Sequence, residues 1–263
     1  CSLEMSFSIW GRRGEAERTF RVSMLVSVAL VTVGALILVS ELGKPFNLAS
    51  TLIGFNASSV TSWGGVLQGS FIVFGIIMCV MSWKRGSAAF DSAAFKVIGA
   101  IETLLAVLVL IYHGLVLNSL GRGLWADAMV VPLFALSSLI AGGASLLLVD
   151  CLCDKYLDSS FAMPLVAVSL GLVVFFAAYG FTVASAGADA LYCYQAMMAS
   201  SGAVWWIGGL LVGAIVPLAL CTFVLFSHRE WSMSLVVVLA VCAIAGSAAL
   251  KIVLASTVQI VIG

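Results

Sequence analysis

Apolar positions along the chain fall in long blocks rather than in alternation. Val22–Ser40, Gly64–Ser82, Ala128–Val149, Phe161–Ala188 and Ala203–Ser227 contain no Asp, Glu, Lys or Arg. Two further blocks, Val97–Leu117 and Trp231–Ile262, are as long but carry ionisable residues. A helix needs about 20 apolar residues to cross a bilayer, so each block predicts one span, seven in all. The blocks far exceed the roughly ten residues of a barrel strand and lack its period of two. Cys1–Trp10 reads as the end of one more apolar helix. The expectation is an all-α, polytopic membrane bundle with eight transmembrane helices, the first incomplete in this sequence. No composition shift or repeat divides it, so residues 1–263 read as a single integral membrane domain.

The intervals between blocks set the expected orientation. Arg12–Arg21, Lys84–Lys96, Asp150–Ser160 and His228–Trp231 hold nine Lys and Arg between them. The opposite intervals, Glu41–Ser62, Asn118–Asp127 and Asp189–Gly202, read as loops and hold only Lys44 and Arg122. Cationic loops stay in the cytoplasm, so the first set is assigned there and the second outside. Glu41–Ser62 is too apolar for a plain solvent loop. Leu48, Leu52 and Phe55 at i, i+4, i+7 predict a short interfacial helix or re-entrant cap.

Composition then removes whole classes of function. Of 263 residues 63% are hydrophobic and only 9% charged, net charge is zero, and mean hydropathy is +1.20. A water-soluble enzyme would carry about a quarter charged residues, and a nucleic-acid binder would show a basic stripe. Seven cysteines look like no disulfide framework. Cys79, Cys221 and Cys242 sit in apolar runs as small hydrophobes, and Cys151-Leu-Cys153 lacks the second pair a metal cluster needs. The two histidines, His113 and His228, belong to opposite sides of the expected topology and cannot share a haem. Redox work in such a chain requires a partner on one side and a diffusible carrier such as a quinone on the other. The small-residue clusters at Ala141–Ala144 and at Gly208-Gly209 with Gly213 read as close helix packing. Pro132 and Pro217 are expected to kink their spans.

Glu102, His113 and Lys251 are the ionisable residues that matter inside the spans. Such groups are costly in hydrocarbon, so each is a functional candidate, set against interhelical pairing or snorkelling. Glu102 and His113 are eleven positions apart, nearly one helix face and about 16 Å of rise, so a proton route along one seam needs waters or other side chains between them. The stretch Tyr112-His113-Gly114, then Arg122-Gly-Leu-Trp125-Ala-Asp127, gathers a phenol, an imidazole, a guanidinium and an indole at one span end. A quinone slot needs donors and proton acceptors of this kind, and an ordinary aromatic belt gathers the same residues. A secondary transporter or proton-coupled carrier, using Glu102 and Lys251 at the midplane, is the other class; no inverted repeat supports it.

Several segments resemble, in order, the motifs of the NrfD/PsrC-like family, the membrane subunits of polysulfide-reductase-type complexes. Glu41-Leu-Gly-Lys-Pro-Phe is similar to its acidic-Leu-Gly-Arg-Pro element, and Ser58-Ser-Val-Thr-Ser-Trp63-Gly64 to its Ser-Pro-x-Ser-Trp-Gly element. Tyr112-x-Gly114 with Arg122-x-Leu-Trp125 and Pro132-Leu-Phe134 resembles its helix 4–5 block. Ala249-Leu-Lys251-Ile-Val with Gln259 resembles its terminal segment, with Lys251 where Arg is usual. The resemblance implies a quinone-binding anchor subunit of a respiratory oxidoreductase in a bacterial or archaeal cytoplasmic membrane. The cofactor would be menaquinone or ubiquinone, with no haem or metal on this chain. A ferredoxin-type iron–sulfur subunit and a molybdopterin catalytic subunit would be its partners. It places Tyr112 first as quinone contact, followed by His113, with Trp63, Arg122 and Trp125 about the same slot; Glu102 and Lys251, from their place inside the spans, are the candidates for a proton path. The dimethyl-sulfoxide-reductase anchors are the nearest related group.

Overall fold

A computed structural model describes residues 17–41, 56, 58–121, 123–153, 155, 159–227 and 230–257. The expected first-helix remnant, the helix through Leu48, Leu52 and Phe55, and Arg122 lie outside these residues. Among the described residues seven helices are long and apolar enough to cross a membrane, one for each apolar block. The chain is a multi-pass helical membrane protein, and its described residues divide into two compact units.

The first unit runs to Tyr112 and adds a short stretch from Leu152 to Tyr156. It contains α1 (Glu17–Glu41), α2 (Val60–Arg85), the single turn α3 (Ala88–Asp91) and α4 (Ala93–Ser119) as far as Tyr112. Ser59 caps α2 by accepting from the Ser62 N–H at 3.4 Å. At the other end Gly86, at φ +58°, turns the chain and donates its N–H to the Ser82 carbonyl. The Arg21 guanidinium from α1, ion-paired with Glu17, donates to that same carbonyl at 2.7 Å. Phe20, Phe90 and Phe95 pack beneath, with ring centroids 5.1–5.6 Å apart. This apolar knot ties α1, α3 and α4 together at the basic end of α2.

The second unit takes the end of α4, a short 3₁₀ turn (Gly123–Ala126), α5 (Val130–Leu152), and α6 (Ala162–Ser185). It continues through α7 (Ala188–Ala203), a π-helical stretch (Val204–Ile215), α8 (Val216–Ser227) and α9 (Met233–Thr257). The last three before α9 form one continuous helix of 40 residues. Asp189–Gly202, expected as a loop, therefore lies wholly within α7. Its Ala, Leu, Met and Gln residues are strong helix formers, and its one charge, Asp189, sits in the first turn where the helix dipole favours an anion. Forty helical residues reach up to about 60 Å, against about 30 Å of hydrocarbon, so much of α7 extends past the span the sequence predicts.

Small residues bring the helices of this unit together, as their clustering predicts. A Cβ on Gly213 would lie 2.9 Å from Gly246 Cα, so α9 and the π stretch touch backbone to backbone. A Cβ on Gly143 would meet Leu165 at 2.5 Å, whereas Gly142 faces open space. Trp205 fills the centre between Phe176 (4.7 Å) and Tyr179 (5.7 Å). Pro217 follows the π stretch directly. It has no N–H to extend an i−4 ladder, and the Val216 N–H still reaches back five residues to Leu211 O.

Candidate functional site

In the first unit, α2 carries a stripe of buried residues: Gly64, Gln68, Phe71 and Gly75. Their spacing of 4, 3 and 4 keeps them on one helix face. Two of them are notches. At Gly64 any Cβ would fall inside the Tyr112 ring, against Cζ and the hydroxyl oxygen. At Gly75 a Cβ would meet Val28 of α1 at 2.5 Å and Glu102 Oε1 at 3.0 Å. Each glycine thus admits one polar side chain of α4 against the α2 backbone. Tyr112 is 6% exposed, while Trp63, immediately before its notch, is 45% exposed. Trp63 precedes Gly64 on α2, so the exposed indole stands one residue from the notch that seats Tyr112. His113, next to Tyr112, is exposed, since consecutive residues diverge by about 100°. Of the two it is Tyr112 that shares a buried α2 stripe with Glu102.

Glu102 is fully buried, and neither carboxylate oxygen has a hydrogen-bond partner among the described residues. A buried carboxylate without a partner is the costliest polar group a membrane helix can carry. The sequence reading missed Gln68. It is 9% exposed, on the buried stripe of α2. The signal was present: it is the one amide in Gly64–Ser82, four residues after one notch glycine and seven before the other. A charge count passes over it.

The second unit treats its polar groups differently. The Asn118 amide donates to the Trp125 and Asp127 carbonyls at 3.0 and 3.2 Å. Asp127 Oδ1 accepts from the Met129 N–H at 2.7 Å, starting α5. The Trp125 indole N–H donates to Leu254 O at 2.8 Å, and the Tyr179 hydroxyl to Leu124 O at 3.2 Å. The turn that carries Trp125 is therefore clamped to α4, α6 and α9, and Trp125 serves as an anchor through its polar edge. Lys251, one turn before Leu254, donates to Ser138 Oγ at 2.7 Å and stands 5.9 Å from the Phe134 ring centroid. That hydroxyl in turn donates to Phe134 O at 2.8 Å. Glu102 and Lys251, both expected on a proton path, belong to different units.

Multi-pass helices, a phenol and a bare carboxylate seated in glycine notches, and a clamped turn define a helical membrane protein with polar chemistry on its spans. Residues 4–263 match the family model described as polysulphide reductase, NrfD. The chain belongs to that family, whose members are membrane subunits of polysulfide- and nitrite-reductase-type complexes. A curated relative, the protein NrfD homolog of Haemophilus influenzae, is 23% identical over 231 residues, covering 78% of this chain and 71% of that one. No solved structure matches the chain.

Proposed function

We propose that this chain is the quinone-reactive membrane subunit of a respiratory oxidoreductase, in a bacterial or archaeal cytoplasmic membrane. It would exchange electrons between membrane quinol and a ferredoxin-type iron–sulfur subunit, with a molybdopterin subunit beyond. The observation that carries the reading is Tyr112 seated against Gly64, one residue along α2 from the exposed Trp63. A quinone headgroup is flat, apolar on its faces and an acceptor at its rim. A seated phenol hydroxyl and an exposed indole one residue from its notch fit that chemistry, for menaquinone or ubiquinone.

In this reading the Tyr112 hydroxyl donates to a ring oxygen and Trp63 offers a flat apolar wall. Gly64, having no Cβ, opens the notch in which the phenol is seated. Quinol, when bound, supplies electrons to the partner and protons to the medium. Glu102 accepts and releases such protons at its carboxylate, and Lys251, held by Ser138, is the second group assigned to proton exchange. For His113, Arg122 and Trp125 the family membership is the ground for a place near the headgroup. The nine-to-two distribution of Lys and Arg puts the Arg85 and Ala93 ends of α2 and α4 in the cytoplasm, and so the Tyr112 end outside.

Tyr112→Phe tests the reading. Losing one neutral hydrogen bond costs about 0.5–1.5 kcal/mol, so KM for quinol should rise up to about tenfold. Assembly, and reduction of the iron–sulfur partner by artificial donors, should stay intact. Unchanged kinetics at limiting quinol would place the headgroup elsewhere. Purification of the native complex should return iron–sulfur and molybdenum content with the chain. Glu102→Gln should lower the proton-to-electron ratio while quinol still binds; an unchanged ratio removes Glu102 from the path.

A further inference from the structure

The cations of α1, α2 and α4 are gathered at one end of the first unit. Arg18 and Arg21 open α1, Lys84 and Arg85 close α2, and Lys96 stands in the first turn of α4; these helices hold no other Lys or Arg. Named contacts bring the three ends together. Arg21 donates to Ser82 O at 2.7 Å, and a Cβ on Gly86 would lie 3.7 Å from both the Arg21 guanidinium and the Glu17 carboxylate. Phe20 meets Phe95, the residue before Lys96, at 5.6 Å between ring centroids. Glu17 and Asp91 are the acids of these segments, and Glu17 is ion-paired with Arg21. Five cations against two acids leave an excess of three positive charges.

Orientation alone does not concentrate charge in this way. The two later intervals expected on the same side, Asp150–Ser160 and His228–Trp231, hold Lys155 and Arg229 against Asp150, Asp154, Asp158 and Glu230, a negative balance. At the first-unit end, Arg18, Lys84 and Arg85 are exposed and Lys96 is half-buried. Each lies close to exposed apolar surface on its own helix. Trp83, 61% exposed, precedes Lys84; Val97, 60% exposed, follows Lys96; exposed Val22 and Leu25 follow the α1 pair. Long cationic side chains lay their stems along such surface and lift their heads to the interface, and an indole favours the same depth. A ligand that meets cations and membrane-level apolar surface together is anionic and amphiphilic. An acidic soluble protein would use the cations alone.

We infer that this end of the first unit binds an anionic phospholipid. Lys84 and Arg85 hold the headgroup phosphate, Arg18 and Lys96 add to the field, and the acyl chains lie along the exposed surface beside Trp83. Arg21, tied to Ser82 O and Glu17, positions the end of α2 and takes no part in the ligand's recognition. Clusters of Lys and Arg beside a membrane helix attract anionic lipid, each cation adding about fivefold. Neither Tyr112 nor Glu102 takes part, so the inference stands apart from the quinone reading.

The test is lipid binding to the intact complex, purified in detergent and followed by native mass spectrometry with phosphatidylglycerol, phosphatidylcholine or inorganic phosphate added. The wild-type complex should bind its first phosphatidylglycerol at least about tenfold more tightly than phosphatidylcholine, and inorganic phosphate should not compete. Lys84→Gln with Arg85→Gln should weaken phosphatidylglycerol binding about tenfold and leave phosphatidylcholine binding unchanged. The charge-preserving pair Lys84→Arg with Arg85→Lys should keep the preference, which separates loss of charge from loss of fold. Lys155→Gln, which removes an exposed cation from a later loop, should also keep it. Equal binding of the two lipids by wild type overturns the inference, as does a preference that survives the Gln pair or is lost in the charge-preserving pair. Competition by inorganic phosphate would make this a site for soluble anions and overturn it too. So would a Gln pair that sheds a protein subunit while its lipid preference is intact, since the end would then be a protein interface.

Discussion

The two units handle buried polar groups in opposite ways. The second pairs nearly all of them: Asn118, Trp125, Asp127, Tyr179 and Lys251 each have a named partner within 3.2 Å, and Ser169 Oγ is the one orphan atom there among the described residues. The first leaves the Glu102 carboxylate with none among the described residues, seated at the Gly75 notch. Unsatisfied groups cost stability, and a chain retains them where they act. Under the proposed function, the first unit supplies the phenol and the carboxylate, and the second, apart from the Lys251 and headgroup candidates it carries, mainly holds shape.

Substitutions that separate stability from turnover can break this division. The largest effect is expected at Gly246→Ala, because the new methyl would occupy the space of the Gly213 backbone. Backbone cannot rotate away, so the cost should be at the top of the overpacking range, about 3 kcal/mol. Accumulation in membranes and thermal stability, read by scanning fluorimetry, should both fall sharply; normal accumulation would remove the close backbone contact from the account. Gly64→Ala comes next. There the obstacle is the Tyr112 side chain, which can swing out, so folding should survive while quinol KM rises about tenfold as the phenol leaves its seat. If that variant loses stability and keeps its KM, the first unit is scaffold as well. The smallest effect is expected at Tyr179→Phe, which removes one buried hydrogen bond to Leu124 O. A loss of about 0.5–1.5 kcal/mol should lower Tm by a few degrees, with quinol KM unchanged. A kinetic defect there would show that the clamped turn serves the headgroup after all.

Much of this was legible in the sequence. Each apolar block became one span because twenty uncharged residues in lipid have few alternatives to a helix. What escaped was set by tertiary contact. Asp189–Gly202 is rich in small residues that suit loops and helices alike, and packing against the neighbouring helices decides between them. Tyr112 and His113 differ by one position, and only the glycine notch on α2 says which of them is buried. Gln68 escaped because an amide carries no charge, and a search for ionisable residues passes over it.

The π stretch from Val204 to Ile215 has a bearing on how this chain tolerates changes in length. In an α-helix, deleting one residue turns everything downstream by about 100° and swaps its buried and exposed faces. A ladder that already reaches back five residues holds slack: with one residue removed, part of it can close to i−4, and the helix beyond keeps its facing. Single-residue deletions should therefore be absorbed within Val204–Ile215 but not within α8 or α9. The segment is a register buffer, letting the Trp205 end and the Pro217 end of one long helix each keep its own alignment with the neighbours it packs on.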